Sequence, residues 1–133
     1  MTFDTLATWH NIVSSSNIND LDNLISEDCV FHSPVVHTPQ IGKDLTIKYL
    51  SAAFKIFTNG TFEYVREVKN NNQAVMEFQL YINDIIINGV DIISWNAEGK
   101  IIDFKVMIRP LKAVKTIHEN MGKILALDAD NTS

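Results

Sequence analysis

The stretch Gly89-Val-Asp-Ile-Ile-Ser-Trp-Asn-Ala-Glu-Gly-Lys-Ile-Ile-Asp-Phe-Lys-Val-Met-Ile-Arg-Pro110 decides how this chain is read. Two apolar runs rich in β-branched residues flank Asn96-Ala97-Glu98-Gly99, which is turn chemistry, so the segment predicts a β-hairpin. Successive strand side chains point to opposite faces. Asp91, Ile93 and Trp95 therefore share one face, and Val90, Ile92 and Ser94 the other. A carboxyl placed between apolar neighbours must be paired, protonated or functional, because an uncompensated buried charge is too costly.

Working outward, strand periodicity begins at Thr61 and is punctuated by Asn70-Asn71-Asn72, Asn83-Asp84 and Asn96 to Gly99, giving a four-strand meander. In its second strand Met76, Phe78, Leu80 and Ile82 face one way, and Glu77, Gln79 and Tyr81 the other. Asn88-Gly89 competes with Asn83-Asp84 as the next turn; Asn83-Asp84 is preferred because it leaves longer matched strands. Before Thr61 the period is helical. Phe3, Leu6, His10 and Val13 recur along a first helix, with Trp9 and Ile12 widening the stripe. Asn19 is the expected N-cap of a short second helix that buries Leu21, Leu24 and Ile25. A short strand from Cys29 to Ser33 follows, then a loop from Pro34 to Gly42. A third helix starts near Lys43, with Ile47, Leu50, Phe54 and Phe57 on one face and Asn59-Gly60 as its end. After Pro110 a last amphipathic helix carries Leu111, Val114, Ile117, Met121 and Leu125. The expected architecture is α+β: N-terminal helices packed in a strongly curved antiparallel sheet, with an extra C-terminal helix, residues 1–127 forming one domain and 128–133 a frayed tail.

Composition excludes several classes of function. A chain of 133 residues with 46% hydrophobic content can bury a substantial core on its own. Its net charge of −5, without an Arg/Lys cluster, argues against nucleic acid as the main partner. The apolar run from Ile85 to Ile93 is interrupted by Asn88 and Asp91 and is too short to span a bilayer. The first residues lack the basic and apolar regions of a signal peptide, so the expected location is the cytoplasm. Cys29 is the only cysteine, suits a small buried hydrophobe, and fits a reducing compartment. The histidines do not fall at ligand spacing, so no metal is assigned. Without a phosphate loop or dinucleotide fingerprint, no cofactor is expected either.

The chain resembles the nuclear-transport-factor-2-like (NTF2-like) superfamily, in particular its SnoaL-like and ketosteroid-isomerase-like branches. The resemblance rests on Ile18 to Ile25 followed by Glu27-Asp28-Cys-Val-Phe-His-Ser-Pro34, on Thr38-Pro39-Gln-Ile-Gly-Lys43, and on the hairpin from Val90 to Ile102. It implies a cone-shaped fold enclosing a pocket. The superfamily includes isomerases, cyclases, hydrolases and non-catalytic modules, so fold alone does not fix the chemistry. Carried over by position, the ketosteroid-isomerase general base falls on Ser33, which cannot exchange a proton near neutrality without an activating neighbour. The oxyanion tyrosine falls on Trp9, whose indole N–H only donates. The second oxyanion donor, a protonated aspartate that is itself a well-known example of a raised carboxyl pKa, falls on Asp91.

Asp91 thus has two readings: a neutral carboxyl donating to a ligand carbonyl, or a structural anchor tied to a helix. Its expected concave-face neighbours are Phe78, Leu80, Ile93, Phe104, Val106 and Ile108. Phe54 and Trp95 complete the expected ligand lining together with Trp9, His32 and Ser33. His37 is the candidate replacement base, against the alternative of a plain solvent-exposed loop residue. His10 is read as packing and His118 as surface. Tyr49 and Tyr64 can line a pocket, although aromatics so placed are usually core. On the outer face Val90, Ile92 and Met107 sit among Glu77, Lys105 and Arg109, which suits a homodimer interface or a solvated sheet with stray hydrophobes. The functional expectation is a protein that binds a small apolar molecule, as an isomerase or cyclase acting beside a carbonyl, or alternatively as a non-catalytic module of the same fold.

Overall fold

The computed structural model of the protein describes residues 4–132, and the side chains of residues 4–126. Phe3 and the side chains of the tail expected at 128–133 lie outside the described residues. Asp4 caps α1 (Thr5–Ser15), its carboxylate accepting the N–H of Ala7, and Leu6, Trp9 and Ile12 form the buried stripe. A 3₁₀ turn (Ile18–Asp20) leads into α2 (Leu21–Leu24), where Leu21 and Leu24 are buried. Asn19 does not cap this helix. The tight turn leaves no side-chain cap, and the link across it runs from the Asn17 amide to the Asp20 carboxylate.

The chain then enters β1 (Ile25–His32), longer at its start than the predicted Cys29–Ser33 strand, and the expected loop contains the two-residue β2 (Gln40–Ile41). The helix α3 (Lys43–Phe57) follows, then the meander of β3 (Glu63–Lys69), β4 (Gln73–Ile82), β5 (Ile85–Trp95) and β6 (Ile101–Arg109), and finally α4 (Leu111–Thr132). These strands make one curved, unclosed sheet in the order β2-β1-β6-β5-β4-β3. β1 runs parallel to β6 and every other pair is antiparallel. The Asn83-Asp84 turn is present, with Asn83 in the left-handed region (φ 50°) and Ile82 paired to Ile85. No helix among the described residues is long and apolar enough to cross a membrane.

The concave face holds the core. Trp9 of α1 packs edge-on against Phe104 of β6 (5.0 Å) and tilted against Phe54 of α3 (5.6 Å), joining three elements at one ring. Thr5 Oγ1 donates to the carbonyl of Gly99 (2.7 Å), tying the start of α1 to the β5–β6 turn. In α4 the inward residues include Ala113 and Ile117, whereas Leu111, expected in the stripe, is 69% exposed. The buried face of α4 is set by Ala113 and Ile117, and the 3.6-residue period turns Leu111 away from it. Cys29 is fully buried, and burial pushes its thiol up to about 11, so it behaves as a hydrophobe.

Gly89 is a point of close approach. A Cβ there would lie 2.6 Å from the Met107 carbonyl oxygen and 2.6 Å from Phe78 Cζ. The expected outcome for Gly89→Ala is a loss of about 1–3 kcal/mol by urea denaturation, since a backbone oxygen cannot step aside as a side chain can. A variant of unchanged stability would mean that β5 and β6 are free to separate there.

Candidate functional site

Asp91 sits mid-way along β5, opposite Met76 on β4 and Val106 on β6, with its side chain on the inner face and only 5% exposed. Tyr64 Oη donates to Asp91 Oδ2 (2.6 Å), and Trp9 Nε1 donates to Tyr64 Oη (2.9 Å). Chemistry fixes the direction of this relay. An indole N–H can only donate, so the phenol oxygen accepts from it and directs its own proton to the carboxyl. Oδ1 of Asp91 engages no hydrogen-bond partner among the described residues, and Asp91 is part of the cavity lining. Burial pushes the Asp91 carboxyl up from 3.8 to about 7, with the Tyr64 hydrogen bond acting the other way. Burial, reinforced by the adjacent Asp91 charge, also raises the Tyr64 phenol well above its ordinary value, so it remains a donor.

A break in strand register positions Tyr64. Pairing runs Tyr64 to Phe78 and then Arg66 to Glu77, leaving Val65 as the extra residue of a bulge. The bulge switches the side-chain alternation, so Glu67 follows Tyr64 on the inner side and Arg66 turns outward to Glu77 (3.4 Å). Glu67 meets His10 Nε2 at 2.5 Å, and the His10 ring stands edge-on to Tyr64 at 5.3 Å. His10 thus buttresses the tyrosine from α1.

The cavity beside Asp91 has a volume of ≈ 180 Å³. Trp9, Phe31, Phe54, Phe104 and Val106 form its buried floor around the carboxyl, while the exposed members of the lining, Val36, Thr58, His118 and Gly122, mark its mouth. Of the residues expected here, Asp91, Trp9, Ser33, Phe54, Phe104 and Val106 are brought together. Trp9 contributes its ring only, because its N–H is engaged by Tyr64. Ser33 Oγ accepts from the N–H groups of Val35 (3.1 Å) and Val36 (3.3 Å), so it shapes the loop.

Phe78, Leu80, Trp95 and Ile108 do not line the cavity. Strand alternation gives their face correctly, but not how far along each strand the cavity extends. Phe78 stacks on Phe62 (5.3 Å), Leu80 lies further along β4 opposite Ile87, Ile108 pairs with Gly89, and Trp95 closes the far end of β5. His32 also lies outside it, held by Asp103 on the neighbouring strand (2.9 Å). His37 is exposed in the loop and is not part of the lining. The histidine at the cavity is His118. It was readable only as a surface helix position, because the sequence does not tell that α4 crosses the mouth.

The SnoaL-like domain matches residues 6–104 of this chain. The structure is similar to that of a steroid delta-isomerase from Pseudomonas aeruginosa, with 30% identity over 95% of this chain and 92% of that one and a TM-score of 0.89. It is also similar to an uncharacterized protein with a cystatin-like fold from Silicibacter pomeroyi, at 28% identity, 95% and 88% coverage and a TM-score of 0.86. An NTF2-like protein of unknown function from Mesorhizobium loti shares the fold at 17% identity, 80% and 88% coverage and a TM-score of 0.69. No curated protein matches significantly. The inner-face aspartate, the helix-filled cone and these likenesses agree, and the chain belongs to the SnoaL-like family of the NTF2-like superfamily.

Proposed function

We propose that this protein binds a small, mostly apolar carbonyl compound and moves a proton beside the carbonyl, as an isomerase or cyclase does, with Asp91 as the proton-exchanging group. The observation that carries the reading is a carboxyl in the lining of an apolar cavity, one oxygen held by Tyr64 and the other without a hydrogen-bond partner among the described residues. Ionised Asp91 takes a proton from the carbon next to the carbonyl, and the electrons of the broken C–H bond move to the carbonyl oxygen. The neutral acid then returns the proton to the same or a conjugated carbon. A pKa of about 7 suits both steps, since acid and base forms are each populated near neutrality. The 30% identical structure named a steroid delta-isomerase supports the reaction class. Ser33, standing where the ketosteroid-isomerase base would be, separates this chain from that enzyme's machinery. His37, exposed and away from the lining, is not given the role of base.

The test is deuterium uptake from D₂O by a conjugated cyclic enone, followed by mass spectrometry. The rate should rise with pH to a plateau, with a midpoint near 7. Asp91→Asn should lower it by about 10²–10⁴-fold, the range of general acid–base catalysis, while enone binding stays within a few-fold. Exchange at the wild-type rate in the Asn variant would remove Asp91 from the chemistry. Binding without exchange in the wild type would make the protein a binding module.

Stability follows the same titration. The folded pKa lies above the unfolded one, so folded Asp91 keeps its proton over a window where the unfolded chain has lost it. Its contribution to stability is full below about pH 4, declines through that window and levels off above about pH 7. Asp91→Asn, which still accepts from Tyr64, should flatten that decline and melt at the same or a higher temperature than the wild type at pH 8. A variant that melts far lower at pH 8 would identify Asp91 as an ionised anchor.

We also propose that a second copy of the chain covers the outer sheet face. Glu77, Val90 and Met107 form one cross-strand row there and Val75, Ile92 and Lys105 the next, an apolar centre with charges of both signs at its rim. Ile92→Glu or Met107→Lys should convert a dimer to a monomer by light scattering, because an unpaired buried charge costs several kcal/mol at an interface, roughly. A wild-type protein that is monomeric at high concentration would overturn this.

A further inference from the structure

The SnoaL-like match ends at residue 104, yet α4, which begins at Leu111, supplies Ile117, His118, Met121, Gly122 and Leu125 to the cavity lining. Their spacing of three and four places them on one helical face, so a single amphipathic stripe forms one wall of the chamber. Of the buried floor, Trp9, Phe31, Phe54 and Phe104 belong to the matched domain, and Val106 lies two residues beyond it on the same strand. Family membership therefore describes most of the floor, and the chamber is completed by a helix that the family match does not include.

That size is restrictive. At ≈ 180 Å³ the chamber is only slightly larger than the roughly 150 Å³ cavity that admits benzene, and smaller than the roughly 300 Å³ at which pockets for drug-sized ligands begin. A four-ring skeleton cannot be enclosed in it and would have to extend out through the mouth. Gly122 adds a second independent feature, because a Cβ there would meet nothing within 4 Å. The wall thus has a gap, flanked by His118 one turn before and Leu125 one turn after, at the exposed mouth.

Building on the function proposed above, we infer that α4 is the specificity element of this site and selects a one-ring or short-chain carbonyl compound over polycyclic ones, Ile117, Met121 and Leu125 setting the depth available and Gly122 the portal. Tail truncation along a lining stripe should lengthen the ligand the chamber takes. Filling the portal should impede every ligand without touching the floor.

Isothermal titration with cyclic ketones of one, two and four rings, and with a homologous series of 2-alkanones, reads this directly. The wild type should bind the one-ring ketones at least about tenfold more tightly than the four-ring ketone. Met121→Ala and Leu125→Ala should shift the optimum to longer alkanones and narrow or reverse that ratio. Gly122→Phe, whose side chain enters open space and leaves the packed core alone, should weaken binding throughout. Equal wild-type affinity for one-ring and four-ring ketones would overturn the inference, as would a size preference that stays the same in the folded Met121, Leu125 and Gly122 variants. The readout is binding, so the two proposals fail separately. Size selection without deuterium exchange sinks only the catalytic reading, and exchange without size selection sinks only the role of α4.

Discussion

A carboxyl group buried at the bottom of an apolar cone is the constraint around which the rest of this structure is arranged. Placing Asp91 there costs hydration, and a single hydrogen bond from Tyr64 offsets only part of it, so the carboxyl rises to about 7 instead of remaining an ordinary acid. Tyr64 in turn is saturated, accepting from Trp9 and donating to Asp91, and cannot turn toward a ligand without leaving one of them unpaired. The relay therefore fixes which atom is presented to the cavity. Within the relay only Oδ1 of Asp91 has no hydrogen-bond partner among the described residues, so it is the relay atom left for a further contact.

Three elements are needed to hold that relay, and each is tied in by a different kind of contact. Trp9 reaches it from α1, where its ring packs against Phe54 and Phe104 and the Thr5 hydroxyl holds the helix start to the β5–β6 turn. Tyr64 reaches it from β3 through the bulge at Val65, and the same irregularity sends Glu67 toward His10. Asp91 is fixed by the two strands paired on either side of β5. Loss of any one would leave a buried polar group without its partner. The relay is thus a reason for α1 to sit inside the cone, as well as a product of its doing so.

Much of this was legible in the sequence, and what was not follows a pattern. Period-two alternation placed Asp91, Met76 and Phe78 inward, and Asn83-Asp84 closed its hairpin as its turn chemistry required. Alternation reports a face and nothing more. It could not show that Phe78 and Leu80 pack behind the cavity while Val106, two strands away, lines it. Nor could it survive the bulge. Strict alternation from Tyr64 puts Arg66 on the inner side and Glu67 on the outer, the reverse of what is found, and no residue at Val65 announces the extra position. Tyr64 was visible as an aromatic near a pocket, but its role depends on two partners 55 and 27 residues away in the chain.

Helix placement was the other blind spot, and it bears most on function. The stripe on α4 was readable, including Ile117, Met121 and Leu125, but an amphipathic stripe says only that something apolar lies opposite. In this fold the opposite surface is a partly open chamber, so the stripe acts as a wall, and His118 and Gly122 at its margin become the rim of a mouth. The histidine expected to matter, His37, sits in a loop that the cone does not turn inward. Position within the matched domain therefore predicts the floor of such a site. Ile117, His118, Met121, Gly122 and Leu125 come from a helix that follows the match, whereas the Trp9–Tyr64–Asp91 relay lies wholly within it. The polar apparatus and this wall of the chamber therefore stand on separate elements, an arrangement in which one can differ between proteins of a fold without the other.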